Sequence, residues 1–269
     1  MIKILTGYSE KGGSTVALST LTNALNRAGL PTMMYGPHDY HLSLCKSSGK
    51  LNQEIIDGIT EDDVVITHFL KLNERPNAKK VFLACHEKWW FDVGGIKQYW
   101  DEVIFLHQAH ADYHINNLGK YKGEYSIIPN LKYTLFKHDK PELDKIAGIV
   151  GSIEDRKQTH ISIQRALKDK CEKIYLFGKV GDQNYYNSFV KPLLSLPKII
   201  EYGHAEGKQE MYDLVGRVYH SSKGEVACLV KDECWSTGTQ FFGNEETEHE
   251  VSPLSNEEIV KLWIKKLGI

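Results

Sequence analysis

Arginine, cysteine, proline and methionine are all sparse in these 269 residues, and no long apolar run is present. Arginine supplies only five of the 33 basic residues (Arg27, Arg75, Arg156, Arg165 and Arg217), and 35 acidic residues leave a formal charge of -2. So small a net charge sets up no overall field that would draw the chain to nucleic acid or to an anionic bilayer, although a local basic patch stays open. The five cysteines are odd in number, scattered and without a CxxC pair. That spacing argues against a disulfide framework or a thiolate zinc site and fits a reducing compartment. No stretch approaches the roughly 18 apolar residues of a membrane span. The N-terminus opens directly on Ile2-Lys3-Ile4-Leu5, without a charged leader or a cleavage site, so a cytoplasmic protein with no transmembrane segment is expected.

What is present is an ordinary globular composition, 41% hydrophobic and 25% charged, in a chain longer than most single domains. Short β-branched runs alternate with amphipathic stretches from end to end, the pattern of βα units on parallel sheets. The first series of strands is predicted at 2–6, 32–35, 64–67, 81–85, 103–106 and 126–128. A second series starts at 146–150 and continues at 174–177, 199–202 and 217–220, with helical patterns at 160–167 and 209–215. Between the series, residues 131–143 are polar, contain Pro141 and lack a clear period, which reads as a linker. The predicted architecture is α/β with two Rossmann-like domains, 1–133 and 144–269, the second carrying a terminal helix at 255–267 that docks back on the protein. Ser255 and Glu258 form a capping box for that helix, Leu254 and Ile259 a staple, and Ile259, Leu262, Trp263 and Leu267 share one face. Two open sheets of this kind bind ligands at the carboxyl ends of their strands, so a shared cleft is the expected site.

After the first strand, Gly12 and Gly13 in Gly7-Tyr8-Ser9-Glu10-Lys11-Gly12-Gly13-Ser14-Thr15 feed a helical run through Val16, Leu18, Leu21 and Leu25. Glycines let a backbone approach a ligand, and the unpaired N–H groups and dipole of a helix start attract anions. A tight βα turn with no ligand is the alternative. The segment resembles the lysine-first P-loop of partition-type ATPases but lacks its signature lysine, since Gly13 precedes Ser14, and that excludes the ATPase reading.

The most informative stretch runs from Gly224 to Thr239, where Glu225 and Glu233 lie eight residues apart across an apolar segment. Glu233 is expected to open a helix that stops at Gly238, where the dipole would favour it and its paired oxygens could accept from vicinal sugar hydroxyls. Taken by spacing alone, two unrelated surface glutamates would look the same. The stretch resembles the Glu-x7-Glu motif of glycosyltransferase family 4, retaining enzymes of the GT-B fold. Gly238-Thr239 follow the second glutamate as in that family, while Val226-Ala227-Cys228, Trp235 and Gln240 depart from its usual Gly-Phe-Gly, Met and Pro. Further matches occur in the same order. Gly151-Ser152-Ile153-Glu154-Asp155-Arg156-Lys157 resembles the family's glycine, acidic-loop, lysine segment. Ile127-Ile128-Pro129-Asn130 resembles its Ile-Pro-Asn-Gly, and Gly203 with 211–215 resembles the region around the base pocket. Cys85-His86-Glu87 resembles the strand-end histidine beside the sugars.

The resemblance implies an NDP-sugar-dependent hexosyltransferase, with UDP-glucose the expected donor, no cofactor and no metal, in keeping with the lack of an Asp-x-Asp motif. It implies catalytic roles for Glu225, His86 and Lys157. Donor contacts would come from Gly12, Gly13, Gly151, Arg156, Lys157, Gly203, Glu233 and Thr239. Reaction would proceed on the front face, the leaving phosphate itself taking the acceptor proton, and two fixed cations would stabilise the departing diphosphate. His38 and His68, predicted at strand ends, would lie on the acceptor side. The acceptor would be a glycan, a lipid or, by similarity to viral glucosyltransferases, a glycosylated modified base in DNA, with the host cytoplasm as location if the chain is viral. The competing reading is an inactive nucleotide- or sugar-binding GT-B scaffold; the retained glutamates and Lys157 speak against it.

Two other constellations have chemistry. His107, His110 and His114 share one helix face with spacing compatible with a metal, although partnered or exposed histidines are commoner. Trp89, Trp90, Phe91 and Trp100 cluster after His86, where aromatic faces could stack on sugars or simply be buried.

Overall fold

Successive residues of β1 (Ile2–Thr6) point to opposite faces of a sheet, and both faces are covered. Ile2 and Ile4 join Val64, Ile66, Phe82, Ala84 and Ile104 beneath one layer of helices, while Leu5 joins Val65, Val81, Leu83, Val103 and Phe105 on the other side. This is why the strands read as continuous apolar runs. In this computed structural model the described residues are 1–8, 12–37, 45–88, 99–117, 121–137, 140–205, 207–247 and 251–268. The sheet has seven parallel strands in the order β3 (Ser48–Lys50), β2 (Thr32–Gly36), β1, β4 (Val64–His68), β5 (Lys80–Ala84), β6 (Glu102–Phe105) and β7 (Tyr125–Ile127). Lys3 is buried among these strands, and its ammonium is compensated by Asp63 at 2.8 Å and the Gly58 carbonyl at 2.7 Å.

Helix α1 (Gly13–Arg27) lays Leu18, Leu21 and Leu25 on the first face. It is rich in hydroxyls, which would compete with helical bonding, but Ser19, Thr20 and Thr22 each donate to the carbonyl four residues back. Beyond it lie the short α2 (Gln53–Asp57) and α3 (Gln108–Asp112), the latter running on as a π turn, Tyr113–Asn117.

The second sheet is also parallel, in the order β10 (Ile199–Gly203), β9 (Lys173–Phe177), β8 (Ile146–Val150), β11 (Arg217–Tyr219) and β12 (Gln240–Phe242). It carries α4 (Thr159–Lys168), α5 (Lys208–Asp213) and α6 (Leu229–Thr237).

The chain divides into two units, Met1–Leu131 with Ser252–Ile269, and Lys132–Val251. The terminal helix α7 (Asn256–Leu267) has the predicted capping box and ends at Gly268 in the left-handed conformation. Its place corrects the sequence-based boundary, which left it in the second domain. Ile259, Trp263 and Leu267 are buried with Leu18, Leu21, Ile128 and Leu131 in the first unit's core, and Lys266 pairs with Glu102 at 2.8 Å. The apolar stripe goes where a matching helix face and sheet remain to be covered. No described helix is long and apolar enough to cross a membrane.

Candidate functional site

Open parallel sheets gather ligands at the carboxyl ends of strands flanking the point where strand order reverses. In the second unit this point falls between β8 and β11, and four of the predicted residues, Gly151, Arg156, Lys157 and Glu225, meet there. The chain leaves β8 at Gly151, whose φ of 135° suits glycine, and a Cβ placed on Gly178 would lie 1.9 Å from the Gly151 carbonyl oxygen. Only glycine lets the β8 and β9 exits pass this closely. A 3₁₀ turn, Asp155–Lys157, then leads through Gln158 in the left-handed region into α4. Lys157 folds back over Gly151 and its ammonium donates to Glu225 Oε1. His220 Nε2 lies 3.2 Å from the same oxygen and Arg156 Nη1 3.8 Å from it. The loops are stitched together by the Arg156 carbonyl, which accepts from Lys223 N at 2.8 Å and Ser222 Oγ at 3.3 Å.

Glu225 is largely buried, and burial alone would raise its pKa; the His220 hydrogen bond and the Lys157 charge outweigh this and hold the carboxyl well below its ordinary value. It is therefore an anion at neutral pH. The more exposed Arg156 also pairs with Glu154 at 3.0 Å. Two cations thus converge on one carboxylate at a strand-end turn, and either could re-aim its charge onto a phosphate.

Glu233 is placed differently from the expectation. Helix α6 begins at Leu229, so Glu233 sits in its second turn and not at its start, because no breaker separates 229 from 233. The side chain is buried, one oxygen held by Lys208 and the other accepting from Tyr212 Oη at 2.7 Å. Glu225 and Glu233 thus have different cationic partners. Gly238, with φ of 80°, ends the helix, and the Thr239 hydroxyl is buried against that of Thr237 at 2.9 Å. Gly203 ends β10 at φ 81°, where the ladder slips in register, and its carbonyl accepts from Gly178 N at 2.7 Å. Asp232, beside Glu233, is pushed up to about 6 by burial and by its anionic neighbour, against Lys132, and its Oδ1 has no hydrogen-bond partner.

In the first unit the order reverses between β1 and β4. Gly12 is the N-cap of α1 and offers no side-chain cap, and Gly13 opens the helix. Residues 9–11 and His38, and with them Trp89, Trp90 and Phe91, lie outside the described residues. His68, at the end of β4, is fully buried, with Nδ1 at 2.9 Å from Thr6 Oγ1 and Nε2 at 2.8 Å from Glu87 Oε1. Both ring nitrogens are engaged, so His68 holds Glu87 in place and is not positioned to touch an acceptor itself, a correction to the sequence reading. His86 stacks obliquely on His68 at 5.2 Å, and burial, then the neighbouring His68, push its pKa down to about 3. It is neutral across the physiological range. His86 also lines a small cavity with Ala84, Pro129, Asn130 and Trp263, so the Ile-Pro-Asn segment and the strand-end histidine are neighbours. Trp100 is buried, donating to Thr67 Oγ1 at 2.9 Å.

Sequence reasoning missed His220, Lys208 and Tyr212. His220 was legible in part, since it ends a predicted strand adjacent in sequence to Glu225. Lys208 and Tyr212 carried no signal beyond a helical pattern.

No protein-family model matches the sequence, and no curated protein matches it. Solved structures match it in fold. HepE of Anabaena, solved in complex with UDP-glucose, is 14% identical at a TM-score of 0.72, covering 99% of this chain and 90% of that one. WaaG, a glycosyltransferase involved in lipopolysaccharide biosynthesis, is 13% identical at a TM-score of 0.65, covering 100% and 91%. The lipopolysaccharide outer core galactosyltransferase WaaB is 12% identical at 0.56, covering 99% and 90%. With two parallel sheets and these structural matches over nearly its whole length, this protein has the fold of the GT-B glycosyltransferases.

Proposed function

We propose that this chain is a retaining, nucleotide-sugar-dependent glycosyltransferase that moves a hexose, with UDP-glucose as donor, to a hydroxyl of a glycan or lipid-linked glycan. The observation that carries the reading is the Lys157, Arg156, His220 and Glu225 cluster at the exits of β8 and β11. A bound diphosphate would draw Lys157 and Arg156 onto its oxygens and leave Glu225 to accept from sugar hydroxyls. As the anomeric C–O bond breaks, the departing UDP gains negative charge, which the two cations stabilise. The acceptor oxygen bonds to the same face of the anomeric carbon and its proton passes to the leaving phosphate oxygen. Glu233, Gly203 and Thr239 frame the nucleoside. Charge neutralisation by side chains makes a divalent metal in the donor site unnecessary. Support for the donor comes from HepE, which was solved with UDP-glucose, and for a glycan acceptor from WaaG and WaaB.

The test is release of UDP from UDP-glucose, run beside GDP- and ADP-sugars, with lipopolysaccharide core oligosaccharides and glucosylated hydroxymethyl-DNA as acceptors. Transfer with an axial anomeric product, unchanged by added Mg²⁺ or Mn²⁺ and abolished in Glu225→Ala, is expected. Transfer to DNA alone would move the acceptor to the nucleic acid. UDP-glucose binding without turnover would make the chain a scaffold, and full turnover in Glu225→Ala would remove the assigned site.

A further inference from the structure

Behind the exit of β5, on the side of the sheet away from α1, the side chains of Cys85, His110 and His114 come together, all three buried. Cys85 Sγ lies 3.8 Å from His110 Nε2 and 3.9 Å from His114 Nε2, and the three atoms are all within 4.8 Å of one another. A fourth atom closes the group: the Glu87 carbonyl oxygen is 3.3 Å from His110 Nε2, 3.2 Å from His114 Nε2 and 3.6 Å from Cys85 Sγ. We propose that Cys85, His110 and His114, closed by the Glu87 carbonyl, form a structural site for a divalent ion of the zinc class that anchors the loop leaving β5.

Two physical arguments favour an ion over a hydrogen-bonded cluster. The first is size. A point equidistant from four such corners lies about 2.2–2.5 Å from each, against about 2.3 Å for zinc–sulfur and about 2.0–2.1 Å for zinc–nitrogen bonds. The second is donor arithmetic. With protons in place, two ring N–H groups and one thiol would aim at a single carbonyl oxygen, which has two lone pairs. One cation replaces three competing protons and turns their carriers into ligands. A soft thiolate with two imidazoles in near-tetrahedral array suits zinc over the oxygen-seeking cations.

The local fold pre-positions the ligands. His110 and His114 are one turn apart across the point where α3 passes into its π turn. Phe105 stacks on His114 at 5.5 Å and meets His110 edge-on at 5.1 Å, which fixes both rings. His107 stays out of the cluster: it caps α3, its Nδ1 accepting from His110 N at 3.2 Å. The three-histidine set suggested by spacing is thus replaced by two histidines and a cysteine from the exit of β5. Leu106 N approaches His110 Nδ1 at 3.5 Å, a contact that favours the opposite tautomer and therefore gives a direct discriminator. Glu87 joins the site to the chemistry already described, since its carboxylate holds His68 while its carbonyl would face the ion.

The experiment is metal analysis of the full chain purified without chelator, followed by zinc and cobalt titration. About one equivalent of zinc retained through dialysis is expected, with a melting temperature raised by ~5 °C over the stripped protein. Cobalt should give intense tetrahedral visible bands with a thiolate-to-cobalt charge-transfer band. That band should vanish in Cys85→Ser and persist in Cys171→Ser, a buried cysteine of the second unit. Nitrogen-15 shifts of the zinc-loaded protein should place the His110 proton on Nδ1. A metal-free protein whose melting is indifferent to zinc, a cobalt spectrum without the thiolate band, or a His110 proton that stays on Nε2 in excess zinc would each overturn the proposal. None of these readouts involves sugar transfer, so the site and the proposed activity fail separately.

Discussion

The two units solve one topological problem with opposite electrostatics. At the reversal point of the second sheet, Lys157, Arg156 and His220 surround the anionic Glu225, whereas at that of the first, Thr6 and Glu87 hold the buried ring of His68 beside a neutral His86. A charged, partly open cluster suits a ligand that arrives with phosphates. One in which a buried imidazole fixes a carboxylate beside the neutral His86 suits hydroxyls, which must be aimed but not balanced. The same strand-end geometry therefore hosts different chemistry according to which residues follow the strand.

Removing a cation from the charged end should have the largest effect. Lys157→Ala is expected to lower turnover of UDP-glucose by ~10²–10³-fold, the usual loss for one stabilising donor, and to weaken UDP binding measured calorimetrically. Unchanged UDP affinity would erase the contrast between the units. Of comparable size, but on stability, is Trp263→Ala, which empties a buried site in the first unit and should cost about 3–5 kcal/mol there. Hydrogen exchange should show β1, β4 and α1 opening while β8, β9 and α4 keep their protection. Uniform loss across both units would mean that they unfold as one.

Smaller still, His86→Ala should reduce turnover by ~10-fold and leave UDP affinity unchanged, since it removes a neutral hydrogen-bonding group and no charge. A parallel fall in affinity would place His86 on the nucleotide. The smallest effect concerns Asp232, whose folded-state pKa of about 6 stands above its ordinary 3.8. Between these values the folded chain holds the proton that the unfolded chain loses, so Asp232 lowers stability as pH rises from about 4 to 6. Asp232→Asn should then raise stability at pH 7–8 by ~1–2 kcal/mol, after allowance for solvent screening, and by little at pH 4, as read from urea denaturation. An equal gain at both pH values would show that the carboxylate charge is not the cause.

Ten of the twelve strands among the described residues could be read from apolar, β-branched runs, because strands covered on both faces need no polar alternation. The two that escaped, β3 and β12, are three-residue edge strands, Ser48-Gly49-Lys50 and Gln240-Phe241-Phe242, held by β2 and β11 and not by their own propensity. The site divides in the same way. Lys157 and Glu225 were legible because a linear motif keeps them at fixed spacing from a strand end. Lys208, Tyr212 and Cys85 were not, since each meets its partner across the fold. The histidine spacing found two ligands of the candidate metal site and supplied the wrong third. The helix expected to open at Glu233 begins four residues earlier, at Leu229, since no breaker separates the two.

The chain passes from the first unit to the second at 131–132 and returns at 251–252, so the second unit is an insertion within the first. During synthesis the inserted segment emerges from the ribosome whole and can fold while the chain is still growing. Its host cannot, for the helix that seals it is made only after the whole insertion. Until α7 is made, Leu18, Leu21 and Ile128 have no lid, and the unit begun before the insertion is completed after it.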